Sequence, residues 1–184
     1  MGRLMNIFRL RARRIAADED GTSTIPFVIF LPFFMMLVIS SVEMGIVMVR
    51  HVMLERALDM SVRGLRLGFW NPPTPLQLKQ SVCRNAGLIP DCMNTLLIEL
   101  RPVSKVTWQP LSSGPTCIDK AAPIQPVPTF TSGVGDEMML VRACAKFYPM
   151  APMTGLGFQL PKDSSGMYAL VAATAFVNEP TPGG

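Results

Sequence analysis

The sequence is poor in the residues and motifs that carry most enzyme chemistry. It contains one histidine, His51, and no two cysteines in a C-x-x-C spacing, so the usual ligand pattern of a zinc site is missing. It also lacks the glycine-rich phosphate-binding motifs, the G-x-S-x-G of α/β hydrolases and the H-E-x-x-H of zinc proteases. We therefore predict no catalytic residue, no metal and no cofactor, and we expect a protein that is not an enzyme.

Charge clustering is also absent from the larger part of the chain. Residues 71–184 contain eight lysines and arginines against seven acidic residues, so most of the net charge of +4 comes from the first 70 residues. A nucleic-acid-binding domain needs a basic patch on its folded surface. We expect no nucleic-acid partner.

One long uncharged run stands out near the start. Residues 25–42 are eighteen residues without a charge, and apolar residues resume after Glu43 and continue to Arg50. As a helix the run spans about 27 Å, close to the roughly 30 Å of a bilayer's hydrocarbon core. A cleaved secretory signal is the alternative, but its apolar stretch is usually about 7–15 residues and ends in a small-x-small site. We predict a transmembrane helix over residues 25–49.

The orientation of this helix follows from arginines and cysteines together. Five arginines precede the run and four follow it before residue 67, so the positive-inside rule favours a cytoplasmic start by a narrow margin. All four cysteines follow the run, and disulfides form in oxidising compartments. We expect residues 1–24 to be a basic cytoplasmic segment and residues 71–184 to form a disulfide-containing domain outside the cytoplasm.

The helical pattern continues beyond the apolar run, over residues 50–70. Leu54, Leu58 and Val62 recur every four residues, while the charged side chains lie off that stripe. Because no helix breaker intervenes, we predict one long helix from about residue 25 to residue 67. The stripe marks Leu54, Leu58 and Val62 as helix-packing residues, which contact either the chain's own domain or a partner.

Glu43 is the one ionisable residue within residues 25–49. An ionisable side chain inside a membrane is by default a functional hypothesis. The alternative is that the hydrocarbon ends near Val42, which would leave Glu43 among the lipid headgroups. Gly45 would allow another helix to approach closely. Glu43 and Gly45 are therefore candidates for a helix-packing surface.

The rest of the chain predicts a small mixed domain. A helix is expected over residues 75–88, and strands over residues 94–103, 137–148 and 166–177. The last two strands are apolar on both faces, so we place both at the centre of the sheet. The fold class is α+β, with a long N-terminal transmembrane helix that extends into a domain with an antiparallel sheet.

Two connecting segments contain many prolines and glycines. Five prolines between residues 108 and 135 predict an extended loop. The sequence GLGF at residues 155–158 lies in a second connector, where we expect a turn and no binding site.

The cysteines allow three pairings, and the sequence leaves them open. Cys83 and Cys92 bracket a turn that contains Gly87 and can be bridged locally. That pairing, which we favour, leaves Cys117 in the proline-rich loop to bond Cys144 on a strand.

Several short motifs follow one another in a distinctive order. They are DEDG at residues 18–21, FVIFLPFF at residues 27–34 and VEMG at residues 42–45, followed by a helix rich in alanine and arginine. This order resembles the TadE/TadG-like proteins of the tight adherence (Flp) pilus machinery. LVRAC at residues 140–144 and VNEP at residues 177–180 are similar to segments of that family's C-terminal domain.

The resemblance implies a pseudopilin or pilus-assembly subunit of the bacterial inner membrane, with a pilin-like periplasmic domain. Its partners would be other pilus or pseudopilin subunits, the assembly platform and a prepilin peptidase. The peptidase would cut after Gly21 and leave Thr22 first. This chain departs from the usual substrate at Pro26, where such proteins carry glutamate.

A function of another class also fits the sequence. A membrane-anchored periplasmic domain can serve as a binding module that recognises a peptide or a glycan. Under that hypothesis the interaction surface lies in the domain at residues 94–180, whereas an assembly subunit interacts through its long helix.

Overall fold

The computed structural model describes residues 24–70, 72–104, 106–107 and 116–179. The predicted cleavage pair Gly21 and Thr22 and the basic segment before it lie outside the described residues. Within them the chain forms four helices and three strands. These are α1 (Thr24–Arg66), α2 (Pro75–Asn85), α3 (Cys92–Thr95), β1 (Leu96–Pro102), β2 (Met138–Phe147), α4 (Gly155–Gln159) and β3 (Tyr168–Val177).

Helix α1 runs for 43 residues through both the predicted transmembrane span and its amphipathic extension. Pro32 lies inside it, and the helix continues on both sides of that residue. Among the described residues α1 is the one helix long and apolar enough to cross a membrane, and its most apolar stretch is not buried against the rest of the chain. The prediction of one long apolar helix is confirmed.

Helix α2 begins at a capping box. The Thr74 hydroxyl accepts a hydrogen bond from the Gln77 backbone N–H, and the Gln77 side chain accepts one from the Thr74 N–H. These bonds satisfy two backbone donors at the helix start. Beyond the helix end the chain passes through Gly87 at a positive φ of 34°, which glycine tolerates without a side-chain clash.

The three strands form an antiparallel sheet in the order β1-β2-β3. Strand β2 is central and almost wholly buried, as predicted. The prediction that β3 is also central is wrong, because β3 lies at an edge of the described sheet. Its outward positions are mostly alanine, including the exposed Ala169, Ala173 and Ala175. Alanine reads as apolar in a sequence but has little surface that must be buried.

One hydrophobic core joins the outer half of α1 to the sheet. Leu54, Leu58 and Val62 are buried against α2 and the inner face of the strands. These three residues therefore pack on their own domain, which was the first of the two alternatives, and they offer no surface to another subunit. The extension at residues 50–70 and the domain at residues 71–184 share this core.

Two disulfides close the domain with the favoured connectivity. Cys83 bonds Cys92, and Cys117 bonds Cys144, with Cα–Cα distances of 5.7 Å and 5.4 Å. The second bond ties the proline-rich loop to β2. Farther along that loop, Phe130 forms a parallel bridge with Leu100 on the outer edge of β1.

A buried ion pair lies across β1 and β2. Glu99 and Arg142 occupy opposite positions in the strand register, and both Nε and Nη2 of Arg142 donate to Glu99 Oε2, at 3.0 Å and 2.7 Å. Burial raises the pKa of Glu99, but hydrogen bonds from Thr116 and Arg142 outweigh this effect, and the net pKa is lowered. The pair therefore stays charged and complementary on the outer face of the sheet.

Candidate functional site at the junction of helix α1 and the 148–160 segment

One face of α1 is covered by the chain itself from Met36 onward. In an α-helix successive residues are about 100° apart, so Met36, Ser40 and Glu43 lie on one side together with Leu54 and Leu58. Near Ser40 and Glu43, this side contacts the connector between β2 and β3. We call this connector, which contains α4, the 148–160 segment. The connector is thus a partner of the apolar helix.

Glu43 is buried by this contact. Its side chain is only 3% exposed, although its neighbours on α1 from Ile25 to Val42 are largely exposed. The carboxyl group accepts two backbone hydrogen bonds, from the N–H of Met150 at 2.8 Å and from the N–H of Ala151 at 3.0 Å. The carboxyl group thus satisfies two backbone donors of an irregular segment that is more than 100 residues away in sequence.

The two glycines of GLGF allow α4 to approach α1. A Cβ on Gly155 would collide with the Ser40 side chain, and Gly155 has a positive φ of 51°. A Cβ on Gly157 would collide with the Ala151 carbonyl of the same segment and would lie 3.3 Å from Glu43 Oε2. The prediction that GLGF is a turn is wrong. It lies in a short helix, Gly155–Gln159, where the missing side chains make room for α1.

Two cationic side chains flank the junction. Arg50 donates to the Tyr168 hydroxyl at 2.8 Å, and its guanidinium lies 4.9 Å from the centre of the Phe147 ring. Lys162 donates to the carbonyls of Gly157 and Pro152, at 2.7 Å and 3.2 Å. Both cations thus bond to groups of the domain around the junction.

A second buried ion pair holds the chain just after the junction. Lys146 donates to Asp163, whose other oxygen accepts bonds from the backbone N–H groups of Ser165 and Met167. Partial burial acts to raise the pKa of Asp163, but the hydrogen bonds from Lys146, Ser165 and Met167 outweigh it and hold the pKa at about 2. The turn that leads into β3 is therefore fixed around a carboxylate.

The opposite face of α1 is exposed at Gly45, close to Glu43 along the helix axis. Gly45 lies about 200° around the helix from Glu43, and no described residue would lie within 4 Å of a Cβ placed on it. An open groove of about 350 Å³ surrounds Gly45. Its other lining residues are Val42, Ile46, Val49, Arg50 and Leu88.

The structure therefore separates residues that the sequence grouped together. Glu43 and Gly45 were predicted to share one helix-packing surface, but Glu43 faces its own chain and Gly45 faces outward. The contact between the 148–160 segment and α1 was not predicted from the sequence. One signal could have indicated it: Pro149 and Pro152, which have no N–H, flank the donors at residues 150 and 151 in a segment that also contains GLGF.

The described part of the chain holds no group of three histidine, cysteine or acidic side chains arranged to bind a metal ion. The site is thus a junction between structural elements, with an apolar groove on the far side of the helix. No protein-family model, curated protein or solved structure matches the chain.

Proposed function

We propose that this protein is a membrane-anchored subunit of a pilus or secretion apparatus of the tight adherence type, either a minor pseudopilin or an assembly factor. It acts by helix packing and not by catalysis. The observation that carries this proposal is the uncovered face of α1, where the Gly45 groove continues the exposed apolar surface of residues 25–42. The TadE/TadG-like motifs in the same segment are consistent with it.

The disulfides support the proposed location of the domain outside the cytoplasm. Two disulfides in a domain of this size are typical of an oxidising compartment. We place α1 across the bacterial inner membrane, with the preceding residues in the cytoplasm and the domain in the periplasm. The domain then stands directly on the membrane, because the core begins at Leu54, only a few turns beyond the apolar run.

The partner that fits the Gly45 groove is an apolar helix of a second subunit. Lipid chains are as apolar as leucine, so helices associate in membranes through close packing at small residues. Gly45 lies in such a face with Val42 and Val49, one turn to either side. A second copy or a pilin-type subunit supplies the required helix, since pilus cores are bundles of such helices.

The Gly45 face can be tested by adding bulk to it. Gly45→Ile fills the groove without touching the domain core, so the disulfides and the thermal unfolding of the domain should not change. Complexes captured by a photo-cross-linker at Val49 in host membranes should fall about tenfold or more, equivalent to about 1.4 kcal/mol of association energy. Met44→Ile introduces the same side chain about 100° around the helix and is the matched control.

The result that would contradict this mechanism is equal cross-linking in the Gly45→Ile, Met44→Ile and parent chains. The start of the mature chain distinguishes the two forms of the proposal. N-terminal sequencing of the protein from host membranes should yield Thr22 for a pseudopilin cut by the prepilin peptidase. A start upstream of Gly21 favours a permanently anchored assembly factor.

A binding module is the second candidate, and one cleft favours it. The cleft has a volume of about 590 Å³ and lies between the end of α1 and the end of β3. Trp70 and Phe176 line it beside an ion pair between Arg66 and Glu179. A cleft of this volume with both apolar and polar lining residues is suited to a small ligand. Peptide and glycan libraries titrated onto the full chain, with Arg66→Ala as comparison, test this candidate.

A further inference from the structure

The 148–160 segment contacts α1 at the depth of the apolar run. Its α4 helix lies against Ser40, which is about 22 Å along the helix axis from Ile25. A hydrocarbon layer about 30 Å thick that begins near Ile25 extends to about Gly45. If α1 crosses the membrane as proposed, α4 therefore lies below the level at which the outer leaflet's hydrocarbon ends.

The segment exposes several large apolar side chains. Tyr148, Met150, Met153 and Phe158 are between 58% and 84% exposed. They fall within eleven consecutive residues of a segment that contacts α1, whose residues 25–42 are also largely exposed. In water such a cluster would be unfavourable, whereas acyl chains would cover it.

The backbone of the segment is also suited to an apolar medium. Irregular backbone at membrane depth is tolerated only when its polar groups have partners within the protein. Pro149 and Pro152 have no N–H, and the next two donors, at Met150 and Ala151, bond to Glu43. The N–H of Thr154 donates to the Ala151 carbonyl. Glu43 thus satisfies two of the donors that an irregular segment would otherwise expose to lipid.

The polar groups around the segment match a lipid headgroup layer. Lys162 lies 5.8 Å from the centre of the Phe158 ring, and it bonds the carbonyls of Gly157 and Pro152. A lysine beside an apolar side chain places its ammonium at the interface while its stem stays in the apolar layer. Headgroup phosphates carry the complementary negative charge.

We propose that the 148–160 segment inserts into the outer leaflet beside α1 and fixes the domain against the bilayer. The occupant of its apolar surface is therefore the lipid itself, namely acyl chains against Met153 and Phe158 with headgroups around Lys162. This inference rests on the proposed crossing of the membrane by α1. Its consequence is that the domain is held at one height and one rotation relative to the membrane, which sets how the Gly45 face meets a partner.

Tryptophan fluorescence in brominated vesicles tests the insertion. Tryptophan replaces Phe158 in one full-length variant, Phe34 on α1 in a second and Val134 in a third. All three side chains are exposed, and Val134 lies at the far end of the domain beside Asn178. The vesicles are phosphatidylcholine, with bromine near the headgroup end or near the methyl end of the acyl chains. The measured signal is the emission added to that of the parent chain.

We expect the Phe158→Trp emission to be lost mainly with shallow bromine and the Phe34→Trp emission mainly with deep bromine, while Val134→Trp is unaffected. A Met153→Trp variant should behave like Phe158→Trp. If Phe34→Trp is quenched and Phe158→Trp is not, the segment lies outside the lipid and this inference fails, while the membrane crossing stands. If neither is quenched, α1 does not cross and both proposals fail. A blue-shifted but unquenched Phe158→Trp would show cover by protein, which also overturns the inference.

Discussion

Glu43 shows at the scale of one residue how the surroundings decide what a side chain does. From the sequence, an acidic residue in an apolar helix is expected either among the lipid headgroups or in a contact with a partner. Here its two oxygens accept the N–H groups of Met150 and Ala151, so its partner is its own chain. The bonds form only because α4 folds back onto α1.

We expect Glu43→Ala to release the 148–160 segment. The substitution leaves two partly buried backbone donors without an acceptor, which costs about 2 kcal/mol and corresponds to an exchange about 30-fold faster in that segment. Hydrogen–deuterium exchange of the peptides covering residues 148–154, in detergent, measures the effect. Glu55→Ala, which removes a more exposed acid from the same helix, is the control. Unchanged exchange in Glu43→Ala would rule out this role.

Asp163 gives a pH dependence of known sign. Its pKa is about 2 in the folded protein against 3.8 for an ordinary aspartate, so it stabilises the fold above pH 3.8, and the contribution is lost as the pH falls towards 2. The full shift corresponds to about 2 kcal/mol, and solvent screening of this pair reduces the expected value to about 1 kcal/mol.

Asp163→Asn should therefore lower the free energy of unfolding by about 1 kcal/mol at pH 7, because it removes the ion pair with Lys146 but keeps the oxygen that caps the turn. The difference from the parent should shrink between pH 4 and pH 2. Thermal unfolding of both chains in detergent across this range provides the measurement. Asp59→Asn, at an exposed position of α1, should show no such trend.

At the scale of elements, the sequence predicted features that depend on local patterns better than features that depend on long-range packing. The helices and strands were largely predicted, because periodicity and capping residues such as Thr74 act within a few residues. Strand β3 was misplaced since alanine carries little information about burial. Helix α4 was missed since five residues with two glycines have no helical signal without α1 to pack against.

The two disulfides connect elements over loops of different length. The chain-entropy model assigns roughly 2.5 kcal/mol to the Cys83–Cys92 bond, with a separation of 9, and roughly 3.5 kcal/mol to the Cys117–Cys144 bond, with a separation of 27. Replacing both cysteines of each pair by serine should therefore destabilise the domain more at the second bond. Denaturant unfolding of the two variants in detergent compares them directly, and the reverse order would contradict this account.

At the scale of the whole molecule, α1 belongs to two environments at once. Its first half is apolar and largely exposed, and its second half completes the core of the domain. The apolar half of α1 is therefore joined to the sheet by a continuous helix. This continuity suits a subunit whose position in an assembly is set by its helix.

Truncation should reveal that shared core. A chain that begins at residue 71 lacks Leu54, Leu58 and Val62, whose burial contributes about 6 kcal/mol of a total stability of about 5–15 kcal/mol. We expect that fragment to be unfolded and a fragment from residue 50 to fold. Near-ultraviolet circular dichroism and resistance to trypsin distinguish the two, and a folded 71–184 fragment would show that the domain does not need α1.

The sequence by itself determined the long apolar helix, its amphipathic continuation and the α+β class, and it left the cysteine pairing to the structure. These features depend on composition and on patterns that repeat within a few residues. Only the tertiary structure decided that Glu43 and Gly45 lie on opposite faces with different partners. Helix geometry sets their angle, but which face is covered depends on a segment more than 100 residues away, and no local pattern encodes that contact.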